Sequence, residues 1–277
     1  MQQNSDRVTL RNVPNFYSAP EHQAFTLGES KRHALLVHGF PGTPAELRPL
    51  ASFLAEAGWQ VRAPLLPGFG SSIETLGQKR WQDWTHAVES EFRTLAAGAE
   101  HTLLLGFSMG GAIALVAATN VKPDTLVLLA PFWRFDDWRV NLLPVFKHFV
   151  RTLKPFENAD FSDPQTRETF KEIAPDADLS DPDTQAQLKK SVALPTEAID
   201  QLRQLGRRAY ALAPRVSAPC LVIQGEGDTT VRPEHTRKLV ERIDRAQLVE
   251  VSGGHSFVGT GQRGHKELLE TLQNLSV

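Results

Sequence analysis

Four short apolar runs set the architecture: His33-Ala34-Leu35-Leu36-Val37-His38, His101-Thr102-Leu103-Leu104-Leu105, Thr125-Leu126-Val127-Leu128-Leu129 and Cys220-Leu221-Val222-Ile223-Gln224. None of them alternates between apolar and polar, so each predicts a strand buried on both faces, as in the interior of a parallel sheet. Residues 60–63 and 247–251 read as strands nearer the sheet edges. Parallel neighbours need crossover connections, usually helical, and helix patterns fill the intervals. Trp81, Trp84, Val88, Phe92 and Leu95 recur at helical spacing, as do Val240 with Ile243, and Leu268, Leu269, Leu272 and Leu275. Thr43-Pro44-Ala45-Glu46 carries a Thr, a Pro and a Glu where a capping box would place them, which predicts a helix start running to about Ala57. Such alternation predicts an α/β fold built on a doubly wound, mostly parallel sheet. The first thirty residues predict one or two extra strands.

The rhythm breaks after Leu129-Ala130-Pro131. About sixty residues follow with frequent proline (Pro144, Pro155, Pro164, Pro175, Pro182) and no strand pattern. Aromatics crowd the first half: Phe132, Trp133, Phe135, Trp138, Phe146, Phe149, Phe156 and Phe161. Residues 132–194 therefore read as a cap inserted into a core formed by 1–131 and 195–277, not as an independent domain.

Composition narrows the function classes. A formal net charge of −2 over 277 residues gives no basic field to hold nucleic acid or anionic lipid. The single cysteine, Cys220, excludes a disulfide framework and a zinc site of clustered thiolates. No stretch approaches the roughly 18 apolar residues of a membrane span, and the first residues lack the apolar run of a signal peptide. The expectation is a cytoplasmic enzyme acting on small molecules, with no metal or cofactor; oligomeric state stays open.

The chemistry centres on Gly106-Phe107-Ser108-Met109-Gly110, a G-x-S-x-G sequence between an apolar strand and the small-residue run 111–118. A strand-to-helix turn there lifts Ser108 to the carboxyl edge of the sheet and onto a helix N-terminus, which favours developing negative charge. The plainer reading is a serine capping a glycine-rich turn. An oxyanion site needs two N–H donors. Met109 supplies one; Phe40, in His38-Gly39-Phe40-Pro41-Gly42, is the candidate for the other, since Pro41 has no N–H. A serine nucleophile also needs a base, and the base an orienting carboxylate. Asp228, in Gly225-Glu226-Gly227-Asp228 after a strand, is favoured as the acid, with Glu226 as close competitor and Asp136 and Asp137 as weaker ones. Of 9 histidines, His255 alone lies in a glycine-bearing loop after the last strand. His38 reads as a structural or pocket histidine, and His235 and His265 as solvated.

Together with Pro64-Leu65-Leu66-Pro67-Gly68-Phe69-Gly70, these motifs resemble the α/β-hydrolase superfamily from about His33 onward, and within it bacterial carboxylesterases of the monoacylglycerol-lipase-like type. One departure is Phe69, where many such relatives carry His. The resemblance implies Ser108 as nucleophile, Asp228 as acid and His255 as base, with Phe40 and Met109 donating to the oxyanion. The implied activity is hydrolysis of small or medium carboxylic esters, or monoglyceride-like ones, through an acyl-enzyme. Phe69, Phe132, Trp133 and Phe135 are the candidate substrate contacts. The same triad could serve a thioesterase, a carbon–carbon bond hydrolase or a perhydrolase, and the fold could also carry a ligand-binding protein of low turnover. Another sequence, Gly259-Thr260-Gly261-Gln262-Arg263-Gly264, fits G-x-G-x-x-G but lacks the preceding strand of a dinucleotide site.

Overall fold

The computed structural model describes residue 17 and residues 19–147, 150–153, 160–163, 167, 178–182, 184–186 and 194–273. In chain order the strands are β1 (Phe25–Leu27), β2 (Arg32–Val37), β3 (Gln60–Ala63), β4 (His101–Phe107), β5 (Thr125–Leu129), β6 (Thr152–Leu153), β7 (Leu194–Pro195), β8 (Cys220–Gly225) and β9 (Ala246–Val251). The longer helices are α1 (Arg48–Glu56), α2 (Trp81–Ala96), α3 (Met109–Val121), α4 (Thr196–Leu212), α5 (Pro233–Val240) and α6 (His265–Gln273). Seven strands make one sheet in the order β1-β3-β2-β4-β5-β8-β9. All neighbours in it are parallel except β1, which runs antiparallel along β3 and covers its edge.

Strand residues alternate between two cores, as the period of two requires. Leu35, Val37, Leu104, Leu126, Leu128 and Val222 face α2, α3 and α4, whereas Leu36, Leu103, Leu105, Val127, Leu129 and Ile223 face α1 and α6. Helix α3 is buried from Met109 through Ala118, so it is apolar all round and sits at the centre of its layer. Register then places the reactive loops. Val37 lies opposite Gly106, Phe107 opposite Leu129, Leu129 opposite Ile223, and Gly225 opposite Val251. The loops that follow β2, β4, β5, β8 and β9 therefore open along one edge of the sheet.

Three sequence expectations need correction here, one of them His265, whose Nδ1 is buried rather than solvated. The capping box does not form: Thr43 makes no capping bond, and residues 44–47 are a 3-10 turn leading into α1. The Thr43 hydroxyl instead pairs with His22 Nδ1 at 2.8 Å, and the Glu46 carboxylate turns to the Gly39 N–H. Nor is His235 solvated: its ring is mostly buried and its Nε2 lies 3.1 Å from Asp136.

After Pro131, β6 and β7 pair antiparallel, Thr152 with Pro195 and Leu153 with Leu194. Lys147 Nζ reaches Asp200 at 2.8 Å and Glu197 at 2.9 Å on α4, where Asp200 also accepts from Arg203 and Gln204. Phe161 and Leu179 are buried. Phe149, Phe156 and the side chain of Phe146 lie outside the described residues.

Candidate active site

Ser108 follows β4 directly and precedes α3, with φ 54° and ψ −116°. That conformation is costly for a residue with a Cβ, of order 1–3 kcal/mol, and persists only where surroundings impose it. Here they do. The Ser108 N–H donates to Leu129 O at 2.8 Å, and its carbonyl accepts from Gly111 and Phe132, both at 3.0 Å. The glycines around it answer to backbone proximity: a Cβ on Gly110 would meet the carbonyl oxygens of Val37 and His38, and one on Gly106 would meet the Gly110 carbonyl.

Asp228 and His255 arrive from the loops after β8 and β9, which are laced to one another. Glu226 N–H donates to Val251 O at 2.9 Å and Gly227 N–H to Gly253 O at 2.8 Å. His255 Nδ1 stands 2.7 Å from Asp228 Oδ2, and His255 Nε2 stands 3.0 Å from Ser108 Oγ. With the carboxylate at Nδ1, the ring proton sits there and Nε2 is left to accept from the serine. The Phe107 ring lies beneath the imidazole with centroids 4.9 Å apart.

Four donors converge on Asp228, which is 3% exposed. Besides His255, Oδ1 accepts from the Thr230 and Val231 N–H groups at 2.8 Å, and Oδ2 from Gln224 Nε2 at 3.0 Å. Gln224 is itself fixed by accepting from Thr236 Oγ1. It escaped the sequence reading because it ends an apolar strand; the signal was an amide in a run with no other polar residue, four positions before an acid. Glu226 is exposed, Asp136 pairs with Arg232 and His235, and Asp137 with Arg139, so His255 meets none of them.

Met109 begins α3, where the first N–H groups have no partner inside the helix. The other candidate donor belongs to a loop held from two sides. His38 donates from Nδ1 to Gly39 O at 2.9 Å and accepts at Nε2 from the Leu66 N–H at 3.1 Å. Burial pushes the His38 imidazole down to about 4, which keeps the ring neutral, and its two bonds set the tautomer. Glu46 holds the Gly39 N–H, and its burial pushes the carboxyl up to about 7.

The aromatic candidates separate. Phe69 is fully buried, edge-on to His38 and Phe40 and tilted against Trp84. Phe132 is 5% exposed, and Phe135 packs on it with centroids 4.8 Å apart. Trp133 stacks on Tyr210 at 4.2 Å and donates from Nε1 to His235 O. Trp133 and Phe135 line a cavity of about 300 Å³ against α4, together with Arg203, Arg207 and Tyr210; none of Ser108, Asp228 and His255 lines it. Among the described residues, no group of three or more His, Cys, Asp and Glu could hold a metal ion, and no helix is long and apolar enough to cross a membrane.

The sheet order, the strained serine between strand and helix, and the Ser–His–Asp alignment define a serine hydrolase of the α/β-hydrolase fold. Residues 28–254 match the family described as serine aminopeptidase, S33, and the chain belongs to that family. It is 40% identical over 90 residues to a thermostable monoacylglycerol lipase of Bacillus sp. (strain H-257), a match spanning 32% of this chain and only 36% of that lipase. It is 24% identical over 257 residues to a carboxylesterase of Bacillus subtilis (strain 168), covering 91% of this chain and 96% of the relative. A solved structure from the metagenome-derived lipolytic enzymes LipS and LipT superposes with a TM-score of 0.73 at 22% identity, covering 93% of this chain and 98% of that one. That likeness supports the fold.

Proposed function

We propose that the protein hydrolyses carboxylic esters through an acyl-enzyme on Ser108. The observation that carries this reading is the continuous line Asp228 Oδ2, His255 Nδ1, His255 Nε2 and Ser108 Oγ, with spacings of 2.7 and 3.0 Å. Ser108 attacks the ester carbonyl as His255 takes its proton, and Asp228 stabilises the imidazolium formed. The oxygen of the tetrahedral intermediate turns to the Met109 and Phe40 N–H groups at the positive end of α3. His255 then passes the proton to the departing alcohol, and a water activated by the same imidazole releases the acid. The curated relatives, a monoacylglycerol lipase and a carboxylesterase, support an ester as substrate.

Residues 132–194 act in this reading as a cap whose aromatics shape the acyl or alcohol pocket. Support comes from Phe132, bonded through its N–H to the Ser108 carbonyl, and Phe135 packed on Phe132. A cytoplasmic setting suits a chain with one buried cysteine, which gains nothing from an oxidising compartment.

The test is a fluorophosphonate probe, followed by matched ester, thioester and amide substrates. Wild type should be labelled at Ser108 and should favour the ester. Ser108→Ala should fold, resist labelling and lose several orders of magnitude in kcat. Labelling elsewhere, or full activity in the folded variant, would remove the assignment. Faster turnover of the thioester would move the substrate class while keeping the triad.

A further inference from the structure

Glu46 lies outside the triad, yet its carboxylate fills the inside of the turn that follows β2. One of its oxygens accepts the Gly39 N–H. A Cβ added to Gly42 would meet Glu46 Cδ at 2.8 Å, so the chain wraps the carboxyl group too closely for a side chain there. Above Gly39, a Cβ would stand 3.3 Å from Glu46 Oε1 and 3.4 Å from Ser108 Cβ. The carboxylate and the nucleophile thus flank the same residue. On the far side of Gly39, its carbonyl accepts from His38 Nδ1 at 2.9 Å. Gly39 C=O and Phe40 N–H belong to one planar peptide unit, so groups that hold Gly39 at both ends set the direction of the Phe40 N–H. A turn containing two glycines has little conformational preference of its own and takes its shape from such partners. Burying a carboxyl is unfavourable, and burial pushes this one up to about 7.

Resting on the reading of Ser108 and Phe40 given above, we infer that Glu46 is a positioning residue for ester hydrolysis: by accepting the Gly39 N–H, it aims the Phe40 N–H at the substrate carbonyl oxygen as that oxygen becomes an anion. The device needs an acceptor oxygen at the right reach, not a negative charge. An amide should therefore replace the carboxylate, and a shorter or truncated side chain should not.

The experiment compares Glu46→Gln, Glu46→Asp and Glu46→Ala with wild type, measuring kcat and KM on p-nitrophenyl butyrate and the rate of fluorophosphonate labelling. Removing an oxyanion donor outright costs about 10²–10³ in kcat, so a misdirected one should cost about 10- to 100-fold. Glu46→Ala and Glu46→Asp should show that loss in kcat with KM within about twofold, and labelling should slow in step. Glu46→Gln should stay within about threefold of wild type on both measures. Equal losses in Gln and Asp, a change confined to KM, or Ala and Asp activities near wild type would each overturn the inference. If Ala fails to fold, the contrast between Gln and Asp decides alone. Wild type that escapes labelling at Ser108 would instead overturn the reading beneath, and so be distinguishable.

Discussion

Replacing Gly110 by alanine should damage both stability and rate, and the structure says by how much. The new Cβ would stand 2.5 Å from His38 O and 2.7 Å from Val37 C, with the Val37 carbonyl oxygen nearer still. These are backbone atoms at the end of β2, so no side chain can swing aside. Ordinary contact distance requires the first turn of α3 to retreat by about 1 Å, a distortion of the overpacking kind that costs about 1–3 kcal/mol or more. Alanine's better helix propensity returns about 1 kcal/mol. The net loss should be about 1–2 kcal/mol, or about 2–8 °C in Tm for a chain of this size. The rate should suffer more, because that turn carries Ser108 and the Met109 N–H, and a 1 Å misplacement costs about 10²-fold. Gly111→Ala is the internal control. Its Cβ would meet Pro131 Cα at 3.0 Å and Gly106 O at 3.2 Å, which a shift of a few tenths of an ångström relieves. Urea midpoints at constant m-value, with turnover normalised to fluorophosphonate-titrated sites, separate the two effects. If Gly110→Ala matched wild type, or Gly111→Ala were the more harmful, close backbone approach would not be what demands glycine at 110.

Asp228→Asn should lower kcat by about 10⁴-fold through loss of the correct histidine tautomer, whereas Glu226→Gln should leave it within about twofold; the reverse order would reassign the acid. Stability should show an opposed pair of titrations on either side of Gly39. Glu46, raised from 4.5 to about 7, contributes stability that is full below 4.5 and lost as pH rises toward 7, while His38, lowered from 6.5 to about 4, contributes stability present above 6.5 and lost as pH falls toward 4. The two offset one another in wild type, so Glu46→Gln should lose about 2 kcal/mol more than wild type between pH 7 and 4.5 in urea titrations; parallel curves would refute the raised carboxyl.

The central strands were legible because burial on both faces leaves an unbroken apolar run, and Ser108, Asp228 and His255 because each sits in a loop that parallel topology sends to the same edge. What escaped depends on partners distant in sequence. Thr43 and Glu46 carry the letters of a capping box, but His22 and Gly39 compete for the same two side chains and win. His235 looks solvated from its helical neighbours, but Asp136 and the Trp133 ring reach it from the segment after β5. Phe69 and Trp133 are alike as aromatic residues in glycine- or proline-bounded loops. One ends fully buried beside Trp84 and the other stacked on Tyr210, a difference set by packing between layers and invisible to local pattern.

The bond from His255 to Ser108 joins residues 147 positions apart, across the docking of β9 on β8. During synthesis Ser108 is complete long before His255 exists. A nascent chain can carry the strained serine on β4 and still be chemically silent until the ribosome has passed residue 255 and the last strand has paired. The edge position of β9 has a mirror consequence in the mature protein. Strands at a sheet margin open at lower free energy than those inside it. Fraying there withdraws the imidazole while β2, β4 and β5 remain packed, so turnover should vanish at gentler denaturation than the helical signal does. Hydrolysis thus reports on the margin of the sheet, and circular dichroism on its centre.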